Sequence, residues 1–167
     1  MNKFTKNKQF AISVILLSVS LILGYIEAVI PLNIGLLGIK LGLPNIISIL
    51  GIKTVGVKKT FTINILRLII LGVLFSNLIR FLISVSGFVI SFLVMSIALS
   101  CLKFRIITSS MFGGVFHNIG QLICVSIITS NISVYNLLPV YIIIGGISGV
   151  VIGVISYKTY EIIKRYI

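Results

Sequence analysis

Apolar runs dominate the chain and return about every 20–25 residues, broken by short polar or glycine- and proline-bearing stretches. Runs of that length suit helices that cross a bilayer. Hydropathy and the breakers predict spans at 10–29, 43–57, 60–78, 81–102, 106–129 and 137–157. The second is short. The connections are short too, apart from "PLNIGLLGIKLGLPN" at 31–45. That stretch is too broken for a helix and too apolar for a hydrated loop. Irregular backbone at membrane depth has to be buried in protein or line a cavity, so residues 31–42 read as a re-entrant lid over the bundle.

Composition agrees. Of 167 residues, 58% are hydrophobic and 10% charged, and the mean hydropathy is +1.26. The expectation is a single all-α integral membrane domain, a six-helix bundle spanning 1–167. The start, "MNKFTKNKQF" before an apolar run, reads as an uncleaved first helix, since no small-residue cleavage site follows a short apolar core.

Charge sets the orientation. The net charge of +12 would point to nucleic acid in a soluble protein. Here it points to retention of basic loops on the cytoplasmic side, and no nucleic-acid partner is expected. With both termini inside, Lys3, Lys6, Lys8, Lys53, Lys58, Lys59, Lys103, Arg105, Lys158, Lys164 and Arg165 are cytoplasmic, eleven of the fourteen basic residues. Lys40 and Arg80 fall outside and Arg67 within a span. The expected location is a cell membrane, crossed several times.

Ionisable groups in hydrocarbon cost roughly 2.5–3.5 kcal/mol near the centre on insertion scales and usually face a cavity or each other. Apart from Lys53 toward the cytoplasmic end of the second span, three lie within the predicted spans: Glu27, Arg67 and His117. The stretch "GGVFHNIGQL", 113–122, adds Asn118 and Gln121 to the only histidine. His117 and Gln121, four apart, share a helix face with Gly113 and Gly120. These groups serve either as interhelical hydrogen bonds, as ligand contacts, or as a metal site or proton relay. One histidine without cysteine or carboxylate at ligand spacing makes a poor metal site, and none is expected.

At 1.5 Å per residue, counting from the inner end of each predicted span puts Glu27 and Asn77 about 25 Å up, Gln121 about 22 Å and His117 about 16 Å. With Asn45 opening the second span from outside, these form an outer polar layer under a lid that carries Lys40. Arg67, about 10 Å up by the same rule, either snorkels to cytoplasmic water or joins the pocket. Lys40 or Arg80 is the expected partner of Glu27. The candidate ligand contacts are therefore Glu27, Lys40, Asn45, Asn77, His117, Asn118 and Gln121, with Arg67 and Arg80 as further candidates. Gly145, Gly149 and Gly153 form a GxxxGxxxG ridge that packs a helix closely, either inside this bundle or against another protein. Ser20, Gly24 and Ala28 make a weaker stripe. Glu161 reads as a surface partner for nearby lysines. Cys101 and Cys124 read as apolar fillers.

The absences exclude chemistry. There is no aspartate, so no carboxylate cluster can hold Mg²⁺ on a diphosphate. There is no phosphate-binding loop of the Gly-x-x-x-x-Gly-Lys-Ser/Thr kind. No enzyme activity and no cofactor are expected.

Taken in order, "GYIEAVIPL", "GIKLGLPNI", "LRLIILGVLFSN" and "FHNIGQL" resemble a bacterial membrane family labelled heptaprenyl diphosphate synthase component I, or Gx transporter, over about residues 10–160. The family is similar in size and layout to substrate-binding S components of energy-coupling factor (ECF) transporters. The resemblance implies a bacterial cytoplasmic-membrane subunit that captures a small molecule, of an isoprenoid, quinone-precursor or flavin-related kind. Its partners would be an ECF transmembrane subunit and ATPase subunits. It equally allows a non-catalytic accessory or scaffold for polyprenyl diphosphate or menaquinone synthesis or extracellular electron transfer. Where S components carry an Ala-x-x-x-Ala stripe on the first helix, this chain has Ala11 with Ile15, then Ser20, Gly24 and Ala28.

Overall fold

The computed structural model describes residues 6–29 and 42–165. Six α-helices follow one another: α1 (Lys6–Val29), α2 (Asn45–Thr54), α3 (Val57–Phe75), α4 (Leu78–Ser96), α5 (Ile106–Thr129) and α6 (Leu138–Ile163). A π turn, Ile97–Cys101, extends α4, and a 3-10 turn, Ile132–Leu137, leads into α6. Among the described residues there is no strand. The protein is an all-α, multi-pass membrane protein. With their adjoining π and 3-10 turns, four helices (α1, α4, α5 and α6) are long and apolar enough to cross a bilayer. α3 has 19 residues but carries Lys58, Lys59 and Arg67.

Local chemistry sets most helix ends. Pro44 precedes α2, where its fixed φ is helix-compatible. Gly56 stops the hairpin between α2 and α3 at φ 90°, a conformation glycine adopts without a Cβ penalty. Asn77 caps α4 by accepting the backbone N–H of Arg80 at 2.8 Å. Left-handed Ser130 (φ 50°) closes α5.

The segment expected as a second crossing holds a ten-residue helix. Its length is about 15 Å, half the hydrocarbon thickness. α2 does not face lipid. Eight of its ten residues are buried, and it touches α1, α3, α4, α5 and α6. Ile47, Ile49 and Leu50 pack with Leu16, Ile63, Met95, Leu99, Ile106 and Ile152 to form the largest apolar core. Two flanking clusters, Phe88–Phe92–Leu68 and Leu122–Tyr141, complete it. Large apolar side chains such as Ile15, Ile22, Val73, Leu78, Ile143 and Ile147 point outward, as a lipid-facing surface requires.

The most extensive seams are α5–α6 and α4–α5. Small residues explain the first. A Cβ on Gly114 would stand 2.2 Å from the Gly145 carbonyl oxygen, and one on Gly149 would stand 2.7 Å from the Met111 Cα. A Cβ on Gly153 would meet the Ile107 Cα at 2.8 Å. The glycine ridge of α6 is therefore used inside the chain, against the backbone of α5. Ser20 and Gly24 on α1 are also turned inward, Gly24 against α3, while Ala28 is exposed.

Candidate functional site

The α2–α3 hairpin brings polar side chains together in the middle of the bundle. Its register is set by Gly51, whose Cβ position lies 2.6 Å from Thr60 Oγ1. Antiparallel continuation of that register sets Ser48 across from Asn64 and Asn45 across from Arg67. Thr60, Asn64 and Arg67 follow the i, i+4, i+7 spacing of one helix face. Asn45 stands ten residues before Val55 and Arg67 eleven after Gly56, about 15–17 Å along the helix. Both therefore lie near half the hydrocarbon thickness.

All of these groups are buried: Ser48, Thr60 and Asn64 completely, Arg67 to 6% and Asn45 to 7% exposure. Thr60 donates to the Gly56 carbonyl at 2.8 Å, and Asn64 Nδ2 donates to the Thr60 carbonyl at 3.0 Å. Three atoms have no protein partner: Ser48 Oγ, Asn64 Oδ1 and Arg67 Nε. Each unsatisfied buried polar group costs about 1–3 kcal/mol, and a charged one more. Hydroxyls of Ser96, Ser109, Ser110 and Ser156 on α4, α5 and α6 also lack partners. These are hydroxyls on small, uncharged side chains. The hairpin set instead combines a cation, an amide oxygen and a hydroxyl on facing positions.

Glu27 closes this junction from α1. Its Oε1 accepts the backbone N–H of Gly42 and, at 3.3 Å, that of Leu43. A carboxylate so placed complements the positive N-terminal end of α2. Arg67 lies beside α1, its Cδ 3.7 Å from the Cβ position of Gly24, one turn from Glu27. Among the described residues, direct ion-pair contact occurs in Lys164–Glu161.

Several sequence-based expectations are corrected here. Arg67 does not snorkel to the cytoplasmic interface. It is buried, and the hairpin count lifts it to the level of Asn45. Asn45 belongs to this middle level and not to an outer layer, because α2 starts halfway down the bundle. Glu27 engages Gly42 and Leu43, while Arg80 is exposed at the start of α4. Asn77 is also exposed and serves as a helix cap. Lys40 and most of the expected lid lie outside the described residues, which resume at Gly42.

The polar motif in the middle of α5 divides in two. Asn118, 1% exposed, turns to α6 and donates to the Tyr141 carbonyl at 3.0 Å. His117 and Gln121 turn to α4, where a Cβ on Gly87 would meet Gln121 Cγ at 2.8 Å and His117 Cε1 at 3.1 Å. Both are buried. Among the described residues, no three His, Cys, Asp or Glu side chains come together as metal ligands. What the junction of α1, α2 and α3 offers is hydrogen bonding: donors from Arg67 and Ser48, an acceptor from Asn64, and a nearby negative charge on Glu27. Ser48 and Thr60 were not singled out from sequence. The Thr60–Asn64–Arg67 spacing was the available signal.

No match was found among curated proteins, and none among solved structures. Residues 16–159, which carry the whole junction and the α4–α6 seams, match the family described as heptaprenyl diphosphate synthase component I. On that match the chain belongs to the heptaprenyl diphosphate synthase component I family.

Proposed function

We propose that the protein is a substrate-capture subunit of an ECF-like importer, set in a bacterial cytoplasmic membrane with both termini inside. It would hold the polar head of a small molecule at the α1–α2–α3 junction. The observation that carries this reading is the trio of buried atoms without protein partners, Ser48 Oγ, Asn64 Oδ1 and Arg67 Nε, at mid-depth. A carbonyl or anionic oxygen would accept from Ser48 Oγ and Arg67 Nε, and an N–H or O–H on the same head would donate to Asn64 Oδ1, a combination open to a quinone-precursor or flavin-related compound or to an isoprenoid with a polar head. A short helix that ends inside the bundle, with its positive end beside the site, supports the same reading. Membrane transporters commonly bind substrate at interrupted helices near the midplane. His117 and Gln121 would line the far side. ATPase subunits and a shared transmembrane subunit would supply the driving force.

A second reading, a membrane accessory to polyprenyl diphosphate synthesis, is favoured by the family's description as a synthase component. Mass spectrometry of small molecules released from the purified protein separates the two. Capture predicts a bound compound in the wild type that is lost in Asn64→Leu and Arg67→Met variants of unchanged elution profile. A wild type that carries no compound, with variants that simply aggregate, overturns capture and leaves the accessory role.

A further inference from the structure

At the basic end of the bundle, where α4 gives way to α5, the chain forms an apolar groove of about 210 Å³. Val94, Ile97, Ala98, Leu102, Phe104 and Phe112 line it. Its shape comes from the π turn. The Leu102 N–H reaches back to the Ile97 carbonyl at 3.0 Å, and the Phe104 N–H reaches the Ala98 carbonyl at 2.9 Å. These wide loops swing Phe104 over to Phe112, with ring centroids 6.2 Å apart. Lys103, between Leu102 and Phe104, has a left-handed conformation, φ 53°, and Arg105 is the N-cap of α5. Both cations are exposed. Ile97 and Leu102, on the groove's edge, are more than half exposed, so the groove opens to the lipid side.

This end of the molecule is uniformly basic. Lys6, Lys8, Lys53, Lys58, Lys59, Lys103, Arg105, Lys158, Lys164 and Arg165 are all exposed. Of the chain's two acids only Glu161 lies here, and Lys164 already holds it. We propose that the groove binds one anionic phospholipid of the surrounding leaflet, its acyl chain against Ala98, Phe104 and Phe112 and its phosphate on Lys103 and Arg105. An apolar slot beside two cations at a membrane interface matches a lipid in both halves. The acyl chain gains van der Waals contact with the aromatic lining, and the phosphate meets positive charge. A peptide would need backbone partners that this all-apolar lining does not provide.

Native mass spectrometry of the full-length protein in neutral detergent tests this, with phosphatidylglycerol and phosphatidylcholine titrated in turn. The wild type retains one phosphatidylglycerol in preference to phosphatidylcholine. Lys103→Gln with Arg105→Gln weakens that retention roughly 30-fold, from about 1 kcal/mol of surface attraction per cation. Lys58→Gln with Lys59→Gln, which removes equal charge elsewhere on the same face, leaves it unchanged. Ala98→Leu fills the slot and reduces binding of both lipids. Equal retention of the two lipids, equal loss in both charge variants, or displacement of phosphatidylglycerol by an equal concentration of a prenyl diphosphate would each overturn the assignment.

Discussion

Replacing Gly114 with alanine puts a methyl carbon 2.2 Å from the carbonyl oxygen of Gly145 and 3.0 Å from the Cα of Gly149. Ordinary contact begins near 3.4 Å, so α5 and α6 must part locally by about 1.2 Å. No rotamer relieves the clash, because both partners are backbone. Overpacking of this kind costs about 1–3 kcal/mol. The separation has a second effect. Asn118 lies one turn along α5, and its 3.0 Å bond to the Tyr141 carbonyl would stretch past hydrogen-bond range. Interhelical hydrogen bonds in membranes are worth about 0.6 kcal/mol on average and up to about 1.7. The sum is a loss of roughly 2–4 kcal/mol. Reversible unfolding in mixed detergent micelles measures it, for Gly114→Ala, Asn118→Ala and the double variant. Because the first substitution already breaks the Asn118 bond, the second adds little in its presence. The expected coupling is about 0.6–1.7 kcal/mol. A Gly114→Ala protein as stable as the wild type, or strictly additive effects, would refute the close-packed seam.

Other substitutions follow from the same geometry. Gly24→Ala meets only the flexible tip of Leu71, at 2.3 Å. It is expected to cost under about 1.5 kcal/mol in the same unfolding assay, whereas Gly24→Phe, which also displaces Arg67, abolishes co-purification of the bound compound. Asn77→Ala removes the α4 cap and lowers stability by about 0.5–2 kcal/mol while leaving that compound in place, as mass spectrometry of the released molecules reports. Glu161→Gln breaks an exposed i,i+3 pair at 3.5 Å, and its midpoint of unfolding should match the wild type within error, since such pairs contribute little.

Much of the architecture could be read from hydrophobic runs and their punctuation. The fifth span, read as 106–129, coincides with α5, because the polar breaks before Ile106 and after Thr129 are sharp. Depth was legible only in part. Counting each helix from the inner face assumes parallel, full-length crossings. α2 violates that assumption: Pro44 and Gly56 bound a half-length helix that carries Asn45 down to the middle. The same hairpin raises Arg67 and sets Ser48 and Asn64 at corresponding levels of the two helices, an arrangement that depends on three-dimensional register. Asn77 illustrates the opposite error. An asparagine directly before an apolar helix is an N-cap signal, yet counting it as a polar residue of the third span gave it a place in the pocket. Asn118 and His117, adjacent in sequence, point to different neighbours because successive residues on a helix diverge by about 100°.

An experimental density map at the α1–α2–α3 junction tests the central claim most directly. The account predicts non-protein density within hydrogen-bonding distance of at least two of Ser48 Oγ, Asn64 Oδ1 and Arg67 Nε. A dry junction, with Arg67 in direct contact with Glu27 and with Ser48 bonded to Asn64, would contradict it.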